Sequence, residues 1–444
     1  MPLGNEHEYV AQVEKAAPEE FAGILKTAKA DTERVLRVHF GDAVFKRMQS
    51  LAQNARDQLS GTVILLPGIL GTELYQGDEH IWLGVWNLIR GKFDQLQMDL
   101  DGSSIQPIQS TELLKIIYGE LQLVLLQHWK VLTFPYDWRL DIRESARLLK
   151  AKIDASLGSE EKIFFVAHSM GGLVARSFLQ QFPSEWDRVQ RFVMIGTPNY
   201  GSFAVPALYN GLNAIMRVIA TLDQEHDAAQ LLQFAKMFVG LFEMMPFAEK
   251  TPDAIGLLDP AIYGNLRPPQ ERLDNAKAFQ KEMSTTIHRE KMSYIAGFNW
   301  KTPDAIADWH KLQSWEGYHQ TMAGDGTVSH SLGLIEDVKT YFVESEHSLL
   351  PTHPAVIQAV EDILKNGVTN ALPTAMPATT MLRQELLMIE RTAEWAVHEA
   401  EAFVLRKIVE REMHTDPTKI SDSAVKLRNL VYTGLHTRAK AAAR

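Results

Sequence analysis

The chain has 444 residues, with 45 Lys plus Arg against 55 Asp plus Glu, 45% hydrophobic residues and no cysteine. Single hydrophobic cores stop growing at roughly 250–300 residues, so this length demands two domains or one domain with large additions. The missing thiols exclude a disulfide framework, a thiolate nucleophile and Cys-ligated zinc or iron–sulfur centres, and the net charge of −10 speaks against a general nucleic-acid binder.

Residues 1–58 are charged and helix-prone, with Pro18 opening one segment and Gly41 and Asp42 separating two others, which predicts a helical N-terminal extension. The start, MPLGNEHEYVAQVEKAAPEE, lacks the basic residues and apolar run of a secretory signal, so a cytoplasmic location is expected. From Gly61 the texture changes to short apolar runs bounded by turn residues: Thr62–Leu66, Val131–Phe134, Ile163–Ala167, Phe192–Ile195, Met292–Ala296 and Thr340–Val343. Helical stretches separate them, the pattern of a mostly parallel sheet covered on both faces, and the chain over 59–368 reads as one α/β domain. Between about 200 and 289 the alternation gives way to helices with crowded apolar faces (Val205, Leu208, Leu212, then Leu231, Phe234, Phe238), expected as a helical cap. The stretch without charged residues between Arg191 and Arg217 is not a membrane span, because Pro198, Gly201, Pro206 and Gly211 interrupt it, whereas a span needs ~20 mostly apolar residues. A linker is expected at 369–380. A C-terminal helical region follows at 381–444, where Leu382, Leu386, Ile389, Ala393, Ala396, Ala400 and Phe403 recur at spacings of four and three.

The chemistry concentrates after the run Ile163–Ala167, where Ala167-His168-Ser169-Met170-Gly171-Gly172 leads into the helix-like LVARSFLQQF. A Ser at a sharp strand-to-helix turn projects its hydroxyl above the sheet, and small residues two before and two after it make that turn feasible; Ala167 and Gly171 serve. Such a serine needs a base, and an imidazole base needs an anion that fixes its tautomer. Asp325, in Gly324-Asp325-Gly326-Thr327-Val328, is the candidate acid, with an ordinary Asx turn as the plainer account. His347 follows the run Thr340–Val343 and is the candidate base. His353 is the runner-up, but Pro354 after it marks a helix start, and capping explains it equally well. The oxyanion of a tetrahedral intermediate needs two backbone donors. Met170, after the serine, is one, and the loop Leu66-Pro67-Gly68-Ile69-Leu70-Gly71 offers Ile69 as the second. There is no H-E-x-x-H, no G-x-x-x-x-G-K-[ST] and no EF-hand loop, so neither metal nor cofactor is expected.

Taken together, PGILGTEL, FPYDWR, AHSMGG, GTPNYGS, GDGTV and a following His resemble the lecithin:cholesterol acyltransferase-like branch of the α/β-hydrolase fold over about residues 60–366. The resemblance implies an α/β-hydrolase with an inserted helical cap. It implies Ser169 as nucleophile, Asp325 and His347 as its partners, Ile69 and Met170 as oxyanion donors, and a shaping or bracing role for Tyr136, Asp137, Trp138 and Arg139. Secreted animal members carry a disulfide-pinned loop after the oxyanion segment, and Tyr75–Leu100 has no Cys here. The expected activity is that of a serine esterase or lipase of phospholipase or lipase type, working on lipid acyl esters through an acyl-enzyme. Two other readings fit the same residues: an acyltransferase passing the acyl group to an alcohol, and a non-catalytic interaction protein using its helical flanks. The expected partner is a lipid or acyl-ester substrate, and no nucleic acid. The segments also allow transient contact of the cap with a membrane surface, and self-association or a protein partner through 381–444.

Overall fold

All six apolar runs become neighbouring strands of one sheet. In the computed structural model, residues 5–377 are described apart from 55–60, 83–86, 88, 213 and 284–287, so the expected helix from Leu382 to Phe403 lies outside the described residues. Among the described residues four helices come first, α1 (Asn5–Lys15), α2 (Pro18–Thr27), α3 (Ala30–Phe40) and α4 (Asp42–Gln53). Pro18 starts α2, where its missing N–H costs nothing, and Gly41 turns α3 into α4 at φ 83°. Strand β1 (Thr62–Leu66) follows, then β2 (Thr72–Gln76), β3 (Glu79–Trp82) and β4 (Gln109–Leu113), which form a separate antiparallel sheet in the order β3-β2-β4. The chain then alternates through α5 (Lys115–Leu125), β5 (Lys130–Thr133), α6 (Ile142–Ser156), β6 (Ile163–His168), α7 (Met170–Gln181) and β7 (Val189–Ile195).

Among the described residues, six α-helices intervene before the sheet resumes: α8 (Ala204–Tyr209), α9 (Ala214–Leu222), α10 (Ala228–Ala235), α11 (Val239–Phe242), α12 (Asp253–Leu257) and α13 (Gln270–Met283). Strand β8 (Met292–Gly297) is followed by a hairpin of β9 (Thr302–Ile306) and β10 (Tyr318–Thr321), the short α14 (His330–Gly333), β11 (Lys339–Val343) and α15 (Pro354–Asn366). The central sheet runs β11-β8-β7-β6-β1-β5, and every pairing in it is parallel. Strands β1, β6 and β8 are buried at every position, as continuous branched and aromatic runs require when helices cover both faces. From β1 the chain winds outward to β5 and then crosses back to β6 on the other side. The ends of β1 and β6 therefore flank the point where winding reverses, the place where open α/β sheets hold their sites.

The N-terminal helices share the main core through Phe21, Leu25, Leu36, Phe40, Phe45 and Met48. Polar contacts add to this, one of them buried. Glu14 is buried, with Oε1 2.6 Å from His39 Nε2, and its Oε2 accepts the Lys115 N–H at 2.9 Å. Helix α5 has Leu114 at its N-cap and gets no cap from that side chain, so a carboxylate from α1 supplies one. The Lys115 ammonium is buried 3.7 Å from Glu112, and burial holds its pKa below the usual lysine value. Breaking a buried hydrogen-bonded charge leaves its partners uncompensated, so Glu14→Ala is expected to lower unfolding stability by about 2–4 kcal/mol. Urea denaturation followed by circular dichroism measures it.

Candidate active site

Ser169 stands between β6 and α7 at φ 51° and ψ −125°, a backbone conformation that non-glycine residues adopt only under constraint. Neighbouring glycines supply the constraint. A Cβ on Gly171 would lie 2.4 Å from the Pro67 carbonyl oxygen, and one on Gly172 would lie 2.0 Å from Thr197 Oγ1, so the first turn of α7 presses against the ends of β1 and β7. The Ser169 N–H continues the ladder to the Ile195 carbonyl at 2.9 Å.

The hydroxyl meets an imidazole. Ser169 Oγ lies 2.8 Å from His347 Nε2, and His347 Nδ1 lies 2.8 Å from Asp325 Oδ2, with all three residues buried. Nδ1–H donating to the carboxylate leaves Nε2 as the acceptor facing the serine. Asp325 is held independently of the histidine, because its Oδ1 accepts N–H groups from Thr327 at 3.0 Å and Val328 at 2.7 Å. It therefore forms the local Asx-type turn and the imidazole contact with different oxygens. Its main-chain carbonyl also accepts the His347 N–H at 2.9 Å. Space for the pair comes from two glycines: a Cβ on Gly196 would sit 3.1 Å from His347 Nδ1, and one on Gly297 2.6 Å from Asp325 Cβ.

Met170 opens α7 beside the serine, where the helix N-terminus carries partial positive charge. Ile69 lies in the loop after β1. Gly68 comes so close that a Cβ there would be 2.9 Å from Ser169 Cβ, and its N–H is taken by Tyr118 Oη at 2.8 Å. His353 sits elsewhere: as N-cap of α15 its Nδ1 accepts the Ala355 N–H at 3.2 Å. His330 Nε2 lies 2.8 Å from the Gly297 carbonyl, and the exposed His319 Nδ1 lies 2.6 Å from Asp304. The FPYDWR segment braces the walls. Arg139 forks onto Asp137 at 2.9 and 2.5 Å and donates to the Leu96 carbonyl at 2.8 Å and Ser104 Oγ at 3.0 Å. The Trp138 ring meets Trp82 and Phe238 edge-on, each at 5.6 Å between centroids. Tyr136 donates its hydroxyl to the Pro67 carbonyl at 2.9 Å.

Sequence reasoning passed over Tyr118 and His168. His168 Nδ1 is 2.9 Å from Tyr118 Oη, and its Nε2 is 3.1 Å from the His347 carbonyl oxygen. His168 was visible inside the serine motif, whereas Tyr118 sits in an unremarkable amphipathic helix and carried no signal. Among the described residues no cluster of three or more His, Asp or Glu is arranged to hold a metal ion, and no helix is long and apolar enough to cross a membrane.

A six-stranded parallel sheet with a serine at a strained strand-to-helix turn, a cap inserted before the last strands, and acid and histidine on later loops defines an α/β-hydrolase. The chain belongs to the lecithin:cholesterol acyltransferase family, whose sequence model matches residues 100–372. A stretch of 173 residues is 27% identical to an uncharacterized protein of Saccharomyces cerevisiae; it covers 34% of this chain and spans a quarter (25%) of that protein's length. Among solved structures, the Tle4–Tli4 complex contains a chain with a TM-score of 0.40 at 14% identity, covering 68% of this chain and 97% of that one. The metagenomic carboxyl esterase MGS0156 gives 0.37 at 16% identity, covering 71% and 78% respectively.

Burial pushes the pKa values of His330 and His353 below the usual 6.5, so both rings stay neutral in the native state where the unfolded chain takes up protons. Their depressed values make stability fall as pH drops below about 6.5. His330→Gln, which keeps a donor for Gly297, is expected to flatten the decline in midpoint between about pH 7 and pH 5.5 in urea titrations.

Proposed function

We propose that this chain is a serine esterase acting on lipid acyl esters through an acyl-enzyme. The observation that carries the reading is the continuous line from Ser169 Oγ through His347 to Asp325, two contacts of 2.8 Å each, built on a strained serine. Ser169 Oγ attacks the ester carbonyl as His347 Nε2 takes its proton, and Asp325 fixes the imidazole and stabilises the imidazolium. The negative oxygen of the tetrahedral intermediate is met by the Met170 N–H at the head of α7 and by the Ile69 N–H. The preceding amide, that of Gly68, is occupied by Tyr118 and unavailable for the task. His347 then returns the proton to the departing alcohol, leaving an acyl ester on Ser169. Water activated by the same imidazole attacks that ester and releases the acid.

An acyl chain as the bound portion is supported by the apolar packing around Met170, the residue after the serine. Gly240 of α11 packs so tightly there that a Cβ would lie 2.5 Å from Met170 Cε and 2.9 Å from the Trp138 carbonyl oxygen, and the Trp138 ring packs against Trp82 and Phe238. A second reading, transfer of the acyl group to an alcohol, is favoured by the family's description as an acyltransferase.

Labelling of the whole chain with a fluorophosphonate is expected to occur at Ser169 and to vanish in Ser169→Ala; labelling that persists in that variant overturns the nucleophile. In a short-chain ester assay His347→Ala is expected to lose on the order of 10³-fold or more in kcat, while His353→Ala stays within about threefold. An unimpaired His347→Ala sinks the choice of base. Product analysis with a phospholipid substrate and an added alcohol separates free fatty acid from new ester. Hydrolysis predicts mainly the free acid.

A further inference from the structure

Two buried side chains outside the nucleophile, base and acid tie together parts of the site that come from distant segments. Tyr118 Oη accepts the Gly68 N–H at 2.8 Å, so its own hydrogen is free to point at His168 Nδ1, 2.9 Å away. Nδ1 is then an acceptor, the ring's hydrogen resides on Nε2, and Nε2–H donates to the main-chain carbonyl of His347 at 3.1 Å. Burial pushes the Tyr118 phenol up, which keeps it a donor. The loop glycines fit this pair closely. A Cβ on Gly68 would sit 3.0 Å from His168 Nδ1, and one on Gly71 would sit 2.9 Å from Tyr118 Oη. The His168 and His347 rings lie 5.1 Å apart between centroids.

We propose that Tyr118 and His168 are positioning residues that lock the loop after β1, which offers the Ile69 amide, to the backbone of His347. One directional chain runs from Gly68 N–H through the phenol and a neutral imidazole to the His347 carbonyl. The inference rests on Ser169 and His347 being nucleophile and base, and it adds a reason why both sides of the reacting carbon keep their distance. Each side approaches the serine from a different strand end, β1 for the donor loop and β11 for the histidine. A shift of one against the other misaligns base and oxyanion donors without touching either side chain.

Tyr118→Phe deletes the hydroxyl and leaves Gly68 N–H and His168 Nδ1 without each other's bridge. It is expected to lower both kcat for a p-nitrophenyl ester and the fluorophosphonate labelling rate by about 10- to 100-fold. KM is expected to move less than about threefold, because the apolar packing around Met170 is untouched. His168→Leu is expected to behave like Tyr118→Phe. His168→Gln, whose amide can accept from Tyr118 through Oε1 and donate to His347 through Nε2, is expected to recover most of the loss. All rates refer to protein shown by circular dichroism to be folded at the assay temperature, and His168→Gln carries the test if Tyr118→Phe does not fold. Wild-type labelling rates in Tyr118→Phe or His168→Leu overturn the proposal and leave the Ser169 reading standing. So does a His168→Gln variant as slow as His168→Leu, or a loss that appears only in KM. Wild-type protein that is not labelled at Ser169 overturns both.

Discussion

The serine turn carries a conformational cost that the surrounding backbone must hold in place. A non-glycine residue in that region costs on the order of 1–3 kcal/mol, and Ser169 keeps it because the ends of two other strands close on its turn. Its N–H is fixed by the end of β7, its carbonyl accepts the Gly172 N–H at 3.0 Å, and Gly171 is pressed against Leu66 and Pro67 at the end of β1. Each of those segments also builds the site. The end of β1 continues into the loop that carries Ile69, and the end of β7 continues into Gly196, whose bare α-carbon leaves room for His347 and Asp325. Strain at one residue therefore fixes the mutual distance of the parts around it.

Burying a carboxylate and an imidazole behind that turn requires that their polar atoms be satisfied locally. Asp325 meets the requirement by dividing its oxygens, Oδ1 to two amides of its own turn and Oδ2 to His347, while its carbonyl holds the His347 amide. The acid is thus oriented by its own loop whether or not the imidazole is in place. The histidine needs support from both the acid and the backbone, and His168 contacts its carbonyl from the strand that ends in the serine. The cap side is held by the Arg139–Asp137 fork, which reaches the segment around Leu96 and Ser104, and Gly240 donates its N–H to the Arg139 carbonyl at 3.1 Å.

What the sequence disclosed follows from how local each signal is. The six central strands were legible because continuous branched and aromatic runs admit one environment, a sheet covered on both faces, and their parallel order followed from the helices between them. Strands β2, β3, β4, β9 and β10 were not, since TELYQ, EHIW and QSTEL are short, mixed in polarity and stabilised by cross-strand partners remote in sequence. In the candidate site, Ser169, Asp325 and His347 could be singled out because each sits in a short glycine-marked or strand-end context. Tyr118 was not, because its contact with Gly68 spans 50 residues and its helix shows only ordinary amphipathicity. The capping of α5 by Glu14 spans 101 residues and was equally silent.

That silent contact changes how the N-terminal helices relate to the site. Lys115 and Tyr118 stand one turn apart on α5, so the end of the helix that Glu14 caps is also the end that presents the phenol to Gly68 and His168. The Lys115 ammonium is buried beside Glu112, with the charge of Glu14 adding to its stabilisation, and an isolated ammonium at that depth is strongly disfavoured. Peeling α1 away removes one of those carboxylates and uncaps α5 while leaving the lysine where it is. The free energy of opening the N-terminal helices therefore includes a charge left behind in the core, and apolar burial at Phe21, Leu25, Phe45 and Met48 adds to it. An appendage joined only by surface contacts opens without disturbing the sheet. Here the first turn of α5 is completed by a residue from α1, so the helices and the sheet hold their structure jointly.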